Sequence, residues 1–589
     1  MEFPVQVSEC VGCQLCATEC PTSVITIAAA VGRAALERPQ GPITHAPEGG
    51  GWVPLSAFTH EALSEPRGDP WGVAHEWRPV NRPASWQTWR SWGDPATARF
   101  MAPCQEACPV GTDAGLYVAL VGEGRYAEAF AVAAEYNPFP SICGRVCTAP
   151  CEVACRRGVL DEPIAIREMK RFATDHGAAG YPRPVPAGRR RAERVAIVGA
   201  GPTGLSAAYA LIRVGYGVTV FDAMPTAGGM MAIGIPGYRL PKDVLRADVD
   251  RIVGLGVELR LNTALGRDIS LEQLKAEGYD AILLATGASK SQRLGIVGED
   301  AEGVWPATLF LKKVNLGERV ELTGDALVVG GGSTAMDAAR TAWRAGARTV
   351  RVLYRRTKED MPAQHEELRA AEHEGVVIEP LVAPVEVLRK NGWMTGVRCM
   401  RLAITGRDAD GRSAVAPIPG SEFVIEASAL MVAVGEAPDP SILPEGSNIQ
   451  VAEWGGVVVD AESLATAQRG IFAAGDVATG PRSVIEGAAQ GQRAAWAIDR
   501  YLRHEDGGTY VPSWRVTPSV PSTKTVAVDL ALRPRAEAAL ASVRGMPASH
   551  AEVSLGLTEA SARAEAARCF RCDVIARCPS VQIQGRRSA

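Results

Sequence analysis

The run Arg194-Val-Ala-Ile-Val198-Gly199-Ala-Gly201-Pro-Thr-Gly204 decides how this chain is read. A stretch of strand character leads into glycines spaced GxGxxG, and an apolar helical stretch, Leu205–Val214, follows. Gly199 permits a tight turn, Gly201 lets backbone approach a pyrophosphate, and Gly204 lets helix and strand pack closely. The helix N-terminus then presents N–H groups to phosphates. A second strand, Val218–Phe221, delivers Asp222, 23 residues beyond Gly199. An acid there accepts the hydroxyls of an adenosine ribose that lacks a 2′-phosphate. Glycine spacing alone is weak evidence; with strand, helix and acid in order it reads as a dinucleotide site.

A second such unit starts at Ala326-Leu-Val-Val329 and runs on through Gly330-Gly-Gly332-Ser333-Thr334-Ala335 into a helix, Met336–Ala345. Its next strand, Thr349–Leu353, ends in Tyr354-Arg355-Arg356, with no acid at the ribose position. Two guanidiniums suit a 2′-phosphate, which a carboxylate would repel, so this site favours NADP over NAD. Arginine also stacks on adenine without reading the phosphate. One site for a tightly held dinucleotide and one for a nicotinamide make the layout of a flavin reductase, with FAD in the first. The later strings Gly228-Gly229-Met230, Ala285-Thr-Gly-Ala288 and Ile471-Phe-Ala-Ala-Gly475-Asp476 agree with it.

At 589 residues the chain is too long for one core and predicts roughly three to four domains. Apolar residues at 47% and charged ones at 22% are those of a globular protein. Lys+Arg 62 against Asp+Glu 66 leaves a net charge of −4, which argues against nucleic-acid binding. The most charge-free stretch, Val195 to Ile212, is broken by glycines and a proline, so no membrane span is predicted. Glu2 and nearby cysteines stand where a signal peptide needs a basic start and an apolar run, so a cytoplasmic location with reduced thiols is expected. Of 14 cysteines, only Cys399 lies between residues 156 and 568. Clustered cysteines in a reducing compartment point to metal.

Cys10-x2-Cys13-x2-Cys16-x3-Cys20-Pro21 is the bacterial ferredoxin run. Three thiolates wrap one cubane and the fourth normally reaches a neighbouring cluster. No companion run is nearby, so the remaining ligand is left to Cys20, to Cys578 beside Pro579, or to another residue. A second set comprises Cys104-x3-Cys108-Pro109 and Cys143-x3-Cys147-x3-Cys151-x3-Cys155, and Cys569, Cys572 and Cys578 close the sequence. Cys143 and Cys578 also read as cysteines that bind nothing. Two or three [4Fe-4S] clusters, or more, are expected. Cys399 lacks a CxxC partner for dithiol chemistry and reads as a plain core cysteine.

Residues 101–500, about two-thirds of the chain, resemble the small subunit of bacterial glutamate synthase and the N-terminal half of dihydropyrimidine dehydrogenase. The strings that carry this are Gly199–Gly204, Gly234-Ile-Pro-Gly-Tyr-Arg-Leu-Pro-Lys242, Gly330–Asp337, Tyr354–Met361 and Gly475-Asp476. The resemblance implies an α/β fold with two Rossmann-like dinucleotide-binding domains. An FAD domain (193–322 and 429–505) is interrupted by an NAD(P) domain (323–428), with a helical iron–sulfur domain at 101–186. It also implies that Gly229, Met230, Gly475 and Asp476 touch FAD. Around this core are expected a ferredoxin-like unit (1–30), a Trp/Pro-rich extended segment (31–100) that drapes over its own chain or a partner, and a C-terminal extension with a Cys-rich tail (506–589).

Two departures from the resemblance stand out. The dehydrogenase pattern has a CxxC pair inside an EAxRCLxC string before its first helical-domain cysteine, and here those positions are Ala96 and Arg99. The string reappears as Glu565-Ala-Ala-Arg-Cys569-Phe-Arg-Cys572, so the C-terminus is expected to fold back until Cys569, Cys572, Cys104 and Cys155 hold one cluster. The position of the family's non-cysteine ligand is Lys170, a poor ligand, which leaves Cys108, Cys147 and Cys151 to recruit Cys143 or Glu168.

A nicotinamide gives up two electrons as hydride, a cluster carries one, and FAD converts between them. The chain therefore reads as an FAD- and iron–sulfur-dependent NAD(P)H oxidoreductase passing electrons, in either direction, between NAD(P)H, FAD, helical-domain clusters, the N-terminal unit and a partner. No triad, HExxH site or carboxylate pair competes, and His365 reads as packing or cofactor contact. With no barrel, glutaminase or synthase domain in view, any organic substrate falls to the catalytic subunits of a larger oxidoreductase, or the partner is ferredoxin. The ferredoxin-like unit favours a 2-oxoacid:acceptor oxidoreductase. The alternatives are a glutamate synthase small (beta) subunit and a stand-alone ferredoxin:NADP reductase; a non-catalytic scaffold comes last.

Overall fold

Gly124, at φ +79°, breaks the helical pattern expected over residues 114–135 into two helices. The computed structural model describes residues 102–180, 191–444, 446–505, 510, 525–529, 532–541, 549–572 and 582–586. The expectations for residues 1–30 with Cys10, Cys13, Cys16 and Cys20, for residues 31–100 and for Cys578 lie outside the described residues. The helical unit comprises α1 (Pro103–Glu106), α2 (Ala114–Gly122), α3 (Tyr126–Glu135), α4 (Pro140–Val146), α5 (Pro150–Val153) and α6 (Ile166–Gly177). Asp113 caps α2 by accepting from the Leu116 N–H at 3.1 Å. Prolines open α1, α4 and α5, where a missing N–H costs nothing.

In β1 (Arg194–Val198) every residue after Arg194 is buried, as in a parallel sheet covered on both faces. It pairs with β2 (Gly217–Phe221), which pairs with β3 (Glu258–Arg260), and on its other edge with β4 (Ala281–Leu284). β1 feeds α7 (Pro202–Arg213). The second sheet is built from β5 (Val304–Pro306), β6 (Ala326–Val329), β7 (Val350–Tyr354), β8 (Val377–Pro380) and a later strand, with α8 (Ser333–Arg344) following β6. An antiparallel sheet follows: β9 (Val382–Lys390), β10 (Trp393–Arg407), β11 (Ser413–Pro417) and β12 (Phe423–Glu426). Cys399 lies in it opposite Pro384 and Phe423, fully buried, and burial pushes its thiol up to about 12.

β13 (Ala429–Val432) then returns to the second sheet, and β14 (Ile471–Ala473) returns to the first. The parallel orders are β14-β4-β1-β2-β3 and β5-β13-β6-β7-β8. The second sheet is thus inserted into the first. Its edges differ from the expected boundaries: β5 and β13 fall within 193–322 and 429–505, yet both pair in the second sheet. α9 (Val484–Leu502) crosses α7 so closely that a Cβ on Gly491 would stand 2.2 Å from the Thr203 carbonyl oxygen. Near the end of the chain, α10 (Glu559–Ala567) lies on α2, with Ala566 against Gly122. No helix among the described residues is long and apolar enough to cross a membrane.

Candidate functional site

At the C-terminal ends of β1, β2 and β4 lies a cavity of about 720 Å³, the place where an open parallel sheet takes a ligand. Gly199, Gly201, Asp222, Gly229, Met230 and Asp476 line it. Gly199 has φ +113°, and a Cβ there would meet the Ala285 carbonyl oxygen at 2.2 Å. Gly204 does not reach the cavity; a Cβ on it would lie 1.9 Å from the Gly199 oxygen, so its role is the close strand–helix contact. Gly475 likewise stands behind the lining, packed on Thr203.

Asp222 accepts from the Ala200 N–H at 2.6 Å and the Met224 N–H at 2.8 Å. Burial pushes its pKa up against those two bonds. The carboxylate thus buttresses the glycine loop as well as edging the cavity. Asp476 begins a short helix beyond β14, and burial raises its pKa to about 7, against one hydrogen bond from the Arg482 N–H. Nearby Glu486 and Glu436 raise it further. The long groove, bare backbone at Gly199 and Gly201, and a helix N-terminus beneath them fit a dinucleotide such as FAD.

In the second unit, Gly332 caps α8, whose first residues are Ser333, Thr334 and buried Ala335. Gly330 has φ +143°, and a Cβ there would strike the Ala433 carbonyl oxygen at 2.3 Å. Glu436 is half-buried, its carboxyl pushed up by burial against the Thr334 hydroxyl, and it also acts on Asp476, which connects the two sites. The expected arginine pair separates. Arg355 is exposed at the end of β7, whereas Arg356 donates to Asp408 at 2.6 Å and to the Ser413 carbonyl at 3.1 Å. Only Arg355 therefore presents its guanidinium to solvent beside the glycine loop.

The string Gly234–Lys242 joins the units. Arg239 pairs with Asp337 at 2.6 Å and with Glu367, while the Tyr238 hydroxyl donates to the Asp337 carbonyl at 3.1 Å. Lys242 donates to the Ala232 and Ile235 carbonyls at 2.8 and 2.6 Å, and burial lowers its pKa to about 8. Sequence reasoning quoted this string only as a resemblance; its work as an interdomain latch depends on partners about 100 residues away.

The cysteines form two groups. Cys104, Cys155, Cys569 and Cys572 line one small cavity with Phe570. Burial raises the Cys104 thiol, and Cys155, Cys572 and Cys569 follow as the next causes. The tail is pinned there by Arg568, 2% exposed, which donates to Glu565 at 2.7 Å, Asp161 at 2.9 Å and the Glu162 carbonyl at 2.7 Å. Arg157 answers from the other side, donating to the Arg568 carbonyl at 3.2 Å and lying 5.3 Å over the Phe570 ring.

Cys108, Cys143, Cys147 and Cys151 form the second group, around the buried Lys170. Cys143 lies on α4 and Cys147 at its C-cap, and the Cys143 thiol donates to the Asn137 side-chain oxygen at 3.9 Å. Glu168, the other candidate ligand, is turned away towards Arg167 and Arg171. Cys108, Cys143 and Cys147 belong to the same core as Val195, Leu205 and Tyr209 of the first unit, whereas Cys104, Cys151, Cys155 and Cys569 pack on the helical core. Tyr117 stands between the groups, its hydroxyl near Cys151, Cys104 and Cys108 and donating to the Ile166 carbonyl at 3.1 Å. No group of His, Cys, Asp or Glu among the described residues is drawn around a single-ion position. A cube, whose irons stand at separate corners, does not ask for that, and four cysteines lining one small cavity fit it.

Two nucleotide folds, one inserted in the other, beside buried cysteine sets define a flavin- and iron–sulfur-dependent NAD(P)H oxidoreductase. Residues 191–491 match the pyridine nucleotide-disulphide oxidoreductase family, and the chain belongs to it. Residues 99–180 match dihydropyrimidine dehydrogenase domain II, 4Fe-4S cluster. The chain is 41% identical over 503 residues to the NADP(+)-dependent formate dehydrogenase subunit beta of Moorella thermoacetica, covering 80% of this chain and 70% of that one. It is 36% identical over 512 residues to the NADPH-Fe(3+) oxidoreductase subunit beta of Geobacter sulfurreducens, covering 80% and 75%. Identity to the glutamate synthase [NADPH] small chain of Escherichia coli is 34% over 417 residues, covering 68% and 88%.

Proposed function

We propose that this chain is the electron-entry subunit of a larger oxidoreductase, passing electrons between NADPH and a partner through FAD and at least two [4Fe-4S] clusters. The observation that carries this is the succession of sites: nicotinamide unit, flavin cavity, a cysteine set of which Cys108, Cys143 and Cys147 sit in the flavin unit's core, then a second set closed by the C-terminal tail. FAD, when bound, supplies the change from hydride to single electrons. In this reading the residues of the chain hold and orient. Gly199, Gly201, Gly229 and Met230 line the flavin's phosphates and ring, Asp222 its ribose, and Asp476, reached past Gly475, its ribityl region. Gly330, Gly332, Ser333, Thr334 and Ala335 seat the nicotinamide dinucleotide, with Arg355 on the 2′-phosphate. Cys108, Cys143, Cys147 and Cys151 hold the proximal cube, and Cys104, Cys155, Cys569 and Cys572 the distal one.

The names of the relatives support a partner-dependent role, since those reported above are beta subunits or a small chain. None of these three is a 2-oxoacid enzyme, so similarity lends that expected partner no support; it favours the glutamate synthase type and formate dehydrogenase beta instead. Affinity purification of the tagged chain from its native host, with mass spectrometry of what comes along, tests the reading. Co-purifying catalytic redox subunits are expected. A chain that comes alone and turns over free ferredoxin with NADPH would establish the stand-alone reductase in its place.

A further inference from the structure

Lys170 is the charge the proposed reading leaves unused. It lies on α6, 5% exposed, with its ammonium 5.8 Å from the Tyr117 ring centroid. The ionisable groups that act on it most strongly are the sulfurs of Cys108, Cys143, Cys147 and Cys151. No carboxylate among the described residues forms an ion pair with it. A lone buried ammonium is costly, so a lysine at this depth calls for an anionic neighbour. The approach of α4 is close enough to place Cys143 beside it: a Cβ on Gly144 would lie 2.8 Å from the Arg171 backbone.

A fourth thiolate, in place of a neutral ligand, makes a cube one unit more negative and harder to reduce, because cluster potential follows net charge. Lys170 adds one positive charge at the same spot. We infer that Lys170 is a positioning charge that offsets the thiolate of Cys143 and raises the potential of the proximal cube, keeping it within reach of electrons from the flavin. This rests on the cluster assignment proposed above. When one electron passes from the flavin to the cube, the anion facing Lys170 becomes one unit more negative. The ammonium therefore favours the reduced form.

The test is a potentiometric titration of the anaerobically purified full chain, read by electron paramagnetic resonance, with iron counted in each sample. Lys170→Met is expected to keep its iron and to lower the midpoint of one cluster by at least about 59 mV, a tenfold fall in its reduced-to-oxidised ratio at fixed potential. The other clusters, unmoved, serve as reference, and Lys170→Arg stays near the wild type. Full iron in Lys170→Met with an unmoved midpoint overturns the inference while leaving the cluster assignment standing. Iron lost from Lys170→Met and Lys170→Arg alike also overturns it, since shape or ligation, not charge, would then be what matters. Iron lost from Lys170→Met alone supports it, because the charge is then needed to hold the cube. A wild-type chain with no cubane signal removes the cluster assignment itself.

Discussion

Arg568 donates to Asp161 at 2.9 Å across 407 residues of chain. This contact places Cys569 and Cys572 beside Cys104 and Cys155. With Arg568 2% exposed and also bonded to Glu565, removing it leaves the buried Glu565 without its ion pair, while Asp161 keeps Arg157. Breaking a buried pair on one side costs about 3–5 kcal/mol. Arg568→Met is expected to lower the urea midpoint of the helical unit and to release the distal cluster's iron, with bound flavin unchanged. Fluorescence-monitored unfolding and an iron-to-flavin ratio measure both.

If the tail supplies half of the distal ligands, ending the chain after residue 560 removes about four iron atoms per chain, and so does the pair Cys569→Ser and Cys572→Ser. Full iron content in both variants would dismiss the fold-back. Cys399→Ser, in the antiparallel sheet, serves as the control and retains all iron.

Two aspartates give opposite pH dependences. Burial raises the Asp161 carboxyl, but Arg157, the Arg533 N–H and Arg568 outweigh it and hold the pKa below the usual value. Its contribution is whole above the ordinary carboxylate pKa and is lost as pH falls through the folded value. Asp476 runs the other way: burial puts its folded pKa at about 7, so its contribution is whole below the unfolded value and is lost as pH rises towards 7. In flavin-free protein, denaturant midpoints measured from about pH 4 to pH 7 should fall less in Asp476→Asn than in the wild type.

Arg355 and Arg356 should part company in kinetics. Losing a charge-assisted contact to phosphate costs about 1.5–3 kcal/mol, so Arg355→Ala is expected to raise KM for NADPH at least about tenfold and leave NADH unchanged. Arg356→Ala, which loses its Asp408 partner, should affect both nicotinamides alike and cost roughly 1 kcal/mol of stability. A KM for NADPH that stays put in Arg355→Ala would remove the phosphate reading.

Much of the site was legible because its constraints are local. Within Gly199–Gly204 the turn, the backbone approach and the helix contact all lie inside one stretch, and one cavity is lined by Gly199, Gly201, Asp222, Gly229, Met230 and Asp476. Less legible was the sheet to which β5 and β13 belong. A buried parallel strand reads as the same apolar run in either sheet, so pairing partners alone distinguish them.

From the residues themselves came the two glycine loops, the acid at one ribose position and the arginines at the other, and the presence of cysteine clusters, since each depends on neighbours close along the chain. How the cysteines divide was implied by the family resemblance and not by their spacing; the tertiary structure supplies the physical reason. Their spacing of four from Cys143 to Cys155 suggests one helix face, but α4 ends at Val146 with extended backbone at Cys147, and Pro150 starts α5. The break sends Cys143, Cys147 and Cys151 to one group and Cys155 to the other. It also took the fold to turn Arg356 to Asp408 and Glu168 away from sulfur, because a buried charge goes to the partner that packing brings within reach.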